Sequence, residues 1–161
     1  SLLGEEGSGY FLLMETLDKG RPLVAACCAG SARRVFDMVL SHVKSRLQFG
    51  KPLFSFQGIS FPLAEHATRL QASRLLAFDA LSRIDTGLTF SLEASMAKLY
   101  CSTVASKVTS LAVQIHGGYG YSKEYDVERY FRDAKVTEIY EGTSEIQRMV
   151  IARAILSRQI L

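Results

Sequence analysis

From Phe90 to Ile115 an apolar residue returns at every third or fourth position: Phe90, Ala94, Ala97, Cys101, Val104, Val108, Leu111 and Ile115. A helix turns once in 3.6 residues, so this spacing draws a single apolar stripe along one long helix. Ser95, Lys98, Ser102 and Thr109 fall on its other side. Such a stripe has to be buried against other helices, which commits the chain to helix-on-helix packing.

Two further stripes agree. In residues 22–47, Cys28, Ala32, Val35, Val39 and His42 or Val43 form one face, with Arg33, Asp37, Ser41 and Lys44 opposite. From Gln57 to Asp85, Ile59, Leu63, Ala67, Leu70, Ala77, Leu81 and Ile84 form another. Between them, FGKPLF combines Gly50 and Pro52, which ends a helix and turns the chain. The turn around Gly87 is short, so its flanking helices are expected to be antiparallel neighbours. HGGYGY (116–121) is expected to be a loop, followed by a short helix over 125–135 and a last one over 145–156. The expected fold is all-α: an up-and-down bundle of four main helices plus short ones, forming one domain over residues 1–161, with 1–9 as a linker.

Composition narrows the function classes. Nineteen Lys and Arg stand against sixteen Asp and Glu without a basic block, which argues against nucleic-acid binding. Apolar runs are interrupted, as in LLAFDALSRI, and none approaches the roughly 20 residues of a membrane span. The three cysteines, Cys27, Cys28 and Cys101, contain no C-x-x-C, so neither a disulfide framework nor a metal site is expected.

The stretch TEIYEGTSEIQR (137–148) holds three glutamates. Ser144 and Gln147 read as an S-x-x-Q capping box that starts the last helix at about Glu145. Glu145 then lies in the first turn, where the helix dipole favours a carboxylate. Glu138 sits among Val136, Ile139 and Tyr140 and needs no function. Glu141 lies outside the helix, before Gly142, where its side chain is free to project into a cleft. By spacing alone, a solvated loop carboxylate is the commoner reading.

Four stretches in this order change the balance: LLGEEGSGYFLLMETLDKGRPLVAA, SRLQFGKPLFSFQ, AVQIHGGYGY and RYFRDAKVTEIYEGTSEIQRMVIAR. Together they resemble the C-terminal helical domain of the acyl-CoA dehydrogenase family, and the resemblance covers essentially the whole chain. It implies that an N-terminal helical domain and a middle β-domain belong to the complete protein, and that this stretch alone is inactive.

The resemblance implies an FAD-dependent oxidoreductase of fatty acid metabolism that removes a proton from the α carbon of an acyl-CoA thioester and hydride from the β carbon. Glu141 is then the base, and its own backbone N–H is one of two donors to the thioester oxygen. Some members, the isovaleryl-CoA type among them, carry the base just before the arginine of the DKGR segment. Here that residue is Gly20, so Glu141 is the candidate.

By the same resemblance Arg46, Gln48 and Phe49 contact the pyrophosphate and adenosine part of FAD held by a neighbouring subunit, and Phe56 and Gln57 form a further FAD-contacting pair. Gln114, His116, Gly117 and Gly118 match another dinucleotide contact, although the glycines alone would read as a helix C-cap. Thr143 and Glu145 fall where the family binds its own FAD, with an acid at 145 where many members have glutamine. Asp18 and Arg21 match positions lining the acyl-CoA channel, Gly142 counts with them beside the base, and Arg153 matches a position near the CoA portion.

The implied partners are an acyl-CoA substrate, an electron-transferring flavoprotein as electron acceptor, and further copies in a homodimer or homotetramer. The implied compartment is the cytoplasm of a bacterium or the mitochondrial matrix of a eukaryote. Two rival readings stay open: an acyl-CoA oxidase on the same fold, and a non-catalytic helical oligomerisation module.

Overall fold

The computed structural model describes residues 2–158; Ser1 and residues 159–161 lie outside the described residues. Three long helices carry the architecture: α1 (Gly9–Ser45), α2 (Gln57–Asp85) and α3 (Ser91–His116). They are followed by the short α4 (Gly118–Tyr121), then α5 (Val127–Val136) and α6 (Ser144–Arg158). The all-α bundle expected from the periodicity is what forms.

Helix α1 is longer than its stripe. It begins at Gly9, the last of the residues read as a linker, and runs for 37 residues, about 55 Å. Its first turns carry Tyr10, Phe11 and Leu13 exposed, so no apolar face in that segment announced a helix. Pro22 lies inside α1 and has no N–H to return to the Asp18 carbonyl, which leaves the helix one bond short there.

The link between α1 and α2 is a minimal antiparallel hairpin, β1 (Leu47–Gln48) against β2 (Lys51–Pro52), with Leu47 facing Pro52 and Gln48 facing Lys51. Its two-residue turn is Phe49–Gly50, both at positive φ (52° and 78°), the pattern that matches the twist of the flanking strands. A 3-10 turn over Leu53–Ser55 leads into α2.

Helix α3 is the centre of the molecule and packs against every other α-helix. Val35, Val39 and Val43 of α1, Leu63, Leu70 and Ala77 of α2, and Ala97, Val104, Val108 and Ala112 of α3 share one continuous core. Each fully buried aliphatic side chain there contributes about 1.5–3 kcal/mol.

This central position overturns one expectation. Ser95, Lys98, Ser102 and Thr109, placed by sequence on the side away from the stripe, are all buried, Lys98 completely. Two of the hydroxyls survive burial by bonding within the helix, and Ser95 Oγ lies 3.4 Å from the Arg21 guanidinium. Ser102 donates to the Lys98 carbonyl and Thr109 to the Ala105 carbonyl, each at 2.8 Å. Helices α5 and α6 cover the face they occupy.

Two smaller expectations also change. HGGYGY is not a plain loop. His116 is the last residue of α3, and Gly118–Tyr121 form the turn of α4 after Gly117, whose φ of 61° breaks α3. The capping box is displaced by one residue. Thr143 caps α6, accepting at Oγ1 from the Ile146 N–H at 3.4 Å and at its carbonyl from the Gln147 N–H at 3.0 Å. Ser144 is buried and donates its N–H to the Glu138 carbonyl.

Candidate active site

The chain reverses between α5 and α6 through Glu141 and Gly142, both in the left-handed region at φ 56° and 87°. For a side-chain-bearing residue this conformation costs energy and persists only where the surroundings enforce it. Its effect is to turn the Glu141 carboxylate back toward α1, against Gly20. A methyl group built on Gly20 would stand 2.9 Å from Glu141 Oε2. That oxygen is buried and meets no hydrogen-bond partner among the described residues. The Glu141 N–H also meets no acceptor among them. A half-buried carboxylate whose inner oxygen has no protein partner among the described residues is equipped to accept a proton from something other than the protein.

The turn is held from below by two buried polar side chains. Lys98 Nζ, from the N-terminal third of α3, donates to the Gly142 carbonyl at 2.8 Å. Gln147, on the first turns of α6, donates from Nε2 to the Glu141 carbonyl at 3.1 Å and to the Gly142 carbonyl at 3.0 Å. Gln147 therefore secures the turn rather than the N-cap. Burial pushes the pKa of Lys98 down; the Arg21 guanidinium pushes the same way, while Cys28, Glu138 and Glu141 oppose it. Arg21 is itself buried, bonded to Asp18 and within 3.4 Å of Ser95 Oγ.

The nucleotide-type residues separate into two clefts. Arg46, Gln48, His116, Gly117 and Gly118 come together, with Leu53, Tyr119 and Glu124, around a cleft of about 590 Å³ at the C-terminal ends of α1 and α3. Two of its lining residues, His116 and Tyr119, are aromatic and are packed against further rings. His42 and His116 stack at 4.1 Å, Tyr119 and Tyr125 lie 5.4 Å apart, and the Arg46 guanidinium sits 5.9 Å from the Tyr119 ring. The Nδ1 of His116 is tied to the Ala112 carbonyl at 2.8 Å. Burial, and then the neighbouring His116 ring and Arg46 guanidinium, lower the pKa of His42. A guanidinium beside open glycine backbone and stacking surfaces suits a diphosphate carrying an aromatic base.

Thr143 and Glu145 line a second cleft of about 280 Å³, with Thr103, Lys135, Glu138 and Arg148. Glu145 is exposed and paired with Arg148 at 3.1 Å. Its own backbone N–H, the Thr143 hydroxyl and Arg148 hold its pKa low. Measured along α3 from Thr103 to Ile115, the two clefts are about 18 Å apart. Asp18 and Arg153 meet in a third cleft of about 720 Å³ under the Gly87–Leu92 link. Glu15 and Glu93 also line it, so Arg153 is the cation it offers an anionic ligand among the described lining residues. Arg21 lies in the interior and is not part of that lining. Phe49, Phe56, Gln57 and Gln114 line none of these three clefts; Phe49 is 91% exposed and touches the ring of Phe56 edge-on at 6.2 Å.

The family model described as "Acyl-CoA dehydrogenase, C-terminal domain" matches residues 7–156. The chain belongs to the acyl-CoA dehydrogenase family. It is 49% identical over 156 residues to the acyl-CoA dehydrogenase of Bacillus subtilis (strain 168), covering 97% of this chain and 41% of that protein. It is 47% identical over 156 residues to the caffeyl-CoA reductase-Etf complex subunit CarC of Acetobacterium woodii, covering 97% and 41%. The solved butyryl-CoA dehydrogenase of Megasphaera elsdenii superposes with a TM-score of 0.94 at 49% identity, covering 96% of this chain and 40% of that one. The chain thus spans about 40% of the length of these acyl-CoA dehydrogenase relatives.

Lys98, Gln147 and the His42–His116 stack were not singled out as parts of a site by sequence. For Lys98 a signal existed. Ser95, Ser102 and Thr109 recur every seven residues on its side of α3, and hydroxyl residues that can bond back to their own helix mark a face fit for burial.

Proposed function

We propose that this chain is the C-terminal domain of an FAD-dependent enzyme that removes hydrogen across the α,β bond of an acyl-CoA thioester, with Glu141 as the base. The observation that carries the proposal is the buried Oε2 of Glu141, held by a strained turn against Gly20 and without a hydrogen-bond partner among the described residues. Glu141 takes the α proton onto its carboxylate. The Glu141 N–H, free of any protein acceptor among the described residues, is a donor for the thioester oxygen, where negative charge develops as the proton leaves. Bound FAD would supply the hydride acceptor.

Arg46, Gln48 and the Gly117–Gly118 backbone would hold a dinucleotide's diphosphate, and Thr143 with Glu145 would approach a second one. The separation of those two clefts supports an assembly in which each chain serves its own cofactor and a neighbour's, as a homodimer or homotetramer. A relative whose name places it in an Etf complex supports an electron-transferring flavoprotein as acceptor rather than oxygen.

The test uses the full-length flavin-loaded protein, mixed without oxygen with butyryl-, octanoyl- or palmitoyl-CoA while flavin absorbance is followed. Glu141→Gln should retain flavin and lower the bleaching rate by about 10²–10⁴. Glu138→Gln, whose partner is the exposed Lys135 at 2.6 Å, should bleach as the parent does. Parental bleaching by Glu141→Gln would sink the assignment of the base.

A further inference from the structure

Lys98 and Gln147 rank among the largest completely buried side chains of the described protein, and both are polar. Both donate to the same turn: Lys98 to the Gly142 carbonyl, and Gln147 to the carbonyls of Glu141 and Gly142. An ammonium at zero exposure is expensive to desolvate, and a single carbonyl bond at 2.8 Å returns only part of that cost. An apolar side chain of the same length would serve packing better. A lysine in this place acts on the turn it touches.

The geometry explains what the turn needs. Two successive left-handed residues fold the peptide so that both carbonyls point into the bundle, away from water. Each then requires a donor from the protein, or the turn relaxes toward ordinary backbone angles and carries the Glu141 side chain off Gly20. Gln147 supplies one amide nitrogen between the two carbonyls, and Lys98 supplies a second donor to the outer one. The donors stand on different helices, α6 and α3, so the turn is pinned from two directions.

We propose that Lys98 and Gln147 are positioning residues: they clamp the carbonyls of Glu141 and Gly142 and so hold the Glu141 carboxylate at the place where it meets the substrate's α carbon. The proposal rests on the reading of Glu141 as the base. Lys98 and Gln147 touch neither substrate nor cofactor; they act through the backbone of the turn. Their loss should leave acyl-CoA binding and flavin content intact and slow the proton transfer itself.

The experiment uses full-length flavin-loaded protein and four variants: Lys98→Met, Gln147→Leu, Glu141→Gln and, as a packing control, Thr109→Val. Thr109 is equally buried on α3 but bonds only within its own helix. Anaerobic bleaching is measured against increasing octanoyl-CoA, normal or deuterated at the α carbon. For Lys98→Met and Gln147→Leu the limiting rate should fall about 10–100-fold, as for a catalytic group displaced by about an ångström. The half-saturating octanoyl-CoA concentration should stay within about twofold, and the α-deuterium isotope effect should be at least as large as in the parent. Thr109→Val should lower the thermal midpoint without slowing bleaching. A Lys98→Met protein that bleaches at the parental limiting rate, or that slows only in step with lost flavin or weakened octanoyl-CoA binding, would overturn the proposal. If Lys98→Met does not hold flavin, Gln147→Leu is judged by the same outcomes. Parental bleaching by Glu141→Gln would instead remove the base reading beneath the proposal, a result separable from any behaviour of Lys98.

Discussion

The carboxylate of Glu141 rests against the bare Cα of Gly20, so that a methyl group there would lie 2.9 Å from Oε2 and 3.4 Å from the carboxyl carbon. One residue on α1 is small so that a residue some 120 positions later can occupy its space. The only atoms in the way are the far end of a flexible side chain, so a substitution is cheap for the fold and costly for the carboxylate.

Gly20→Ala should therefore separate stability from activity. Alanine favours a helix interior by about 1 kcal/mol over glycine, so the thermal midpoint should hold or rise. The displaced carboxylate should slow anaerobic flavin bleaching by an acyl-CoA about 10–100-fold. Stopped-flow absorbance beside a thermal melt of the same sample reads both, and an unchanged rate would show that the contact does not aim Glu141.

Gly142→Ala is the opposite case. Its φ is 87°, and an added Cβ would meet Gln147 Nε2 at 2.7 Å, inside the clamp. The strained backbone should cost about 1–3 kcal/mol. Urea unfolding should show the midpoint falling with an unchanged slope.

Arg46→Ala addresses the cleft at the end of α3. The guanidinium is exposed, and its removal should leave the unfolding midpoint of flavin-free protein unchanged. A charge-assisted bond to phosphate contributes about 1.5–3 kcal/mol, so the flavin dissociation constant should rise about 10–100-fold. Titration of flavin-stripped full-length protein with FAD measures it; unaltered affinity would remove Arg46 from the cofactor site.

Stability should fall as the solution is acidified below about pH 6.5. Burial lowers the pKa of His42 and of His66 from the ordinary 6.5; His116 and Arg46 add to the effect on the first. At the second, Arg69 and Lys107 add to it, while Glu65 opposes it. The unfolded chain then binds protons that the folded chain refuses, so stability is complete above the unfolded value and is lost as pH drops through the depressed folded ones. The carboxylates of Glu15, Glu128 and Glu145, held below the ordinary 4.5, titrate beneath this window. Urea midpoints at about pH 7.5 and about pH 5.5 should differ, and His66→Gln should narrow the difference.

The long helices were legible because their apolar residues repeat with the helix period over about four to seven turns, a local signal no packing detail can reverse. Glu141 stood out for a similarly local reason, a carboxylate before a glycine outside a helix. What local pattern could not hold was the use of each face. The polar side of α3 became interior because α5 and α6 close over it, and Ser102 and Thr109 permitted this by bonding to their own helix. Gln147 left its expected cap because two left-handed residues brought Thr143 to the helix start first and turned two carbonyls toward its amide. The sequence by itself determined the three long helical stripes, the family and the candidate base. Only the tertiary structure decided that Gly20 makes room for that base and that Lys98, 43 positions earlier, holds its turn. Contacts between residues so far apart in the chain depend on how helices pack, and no spacing rule within a helix encodes them.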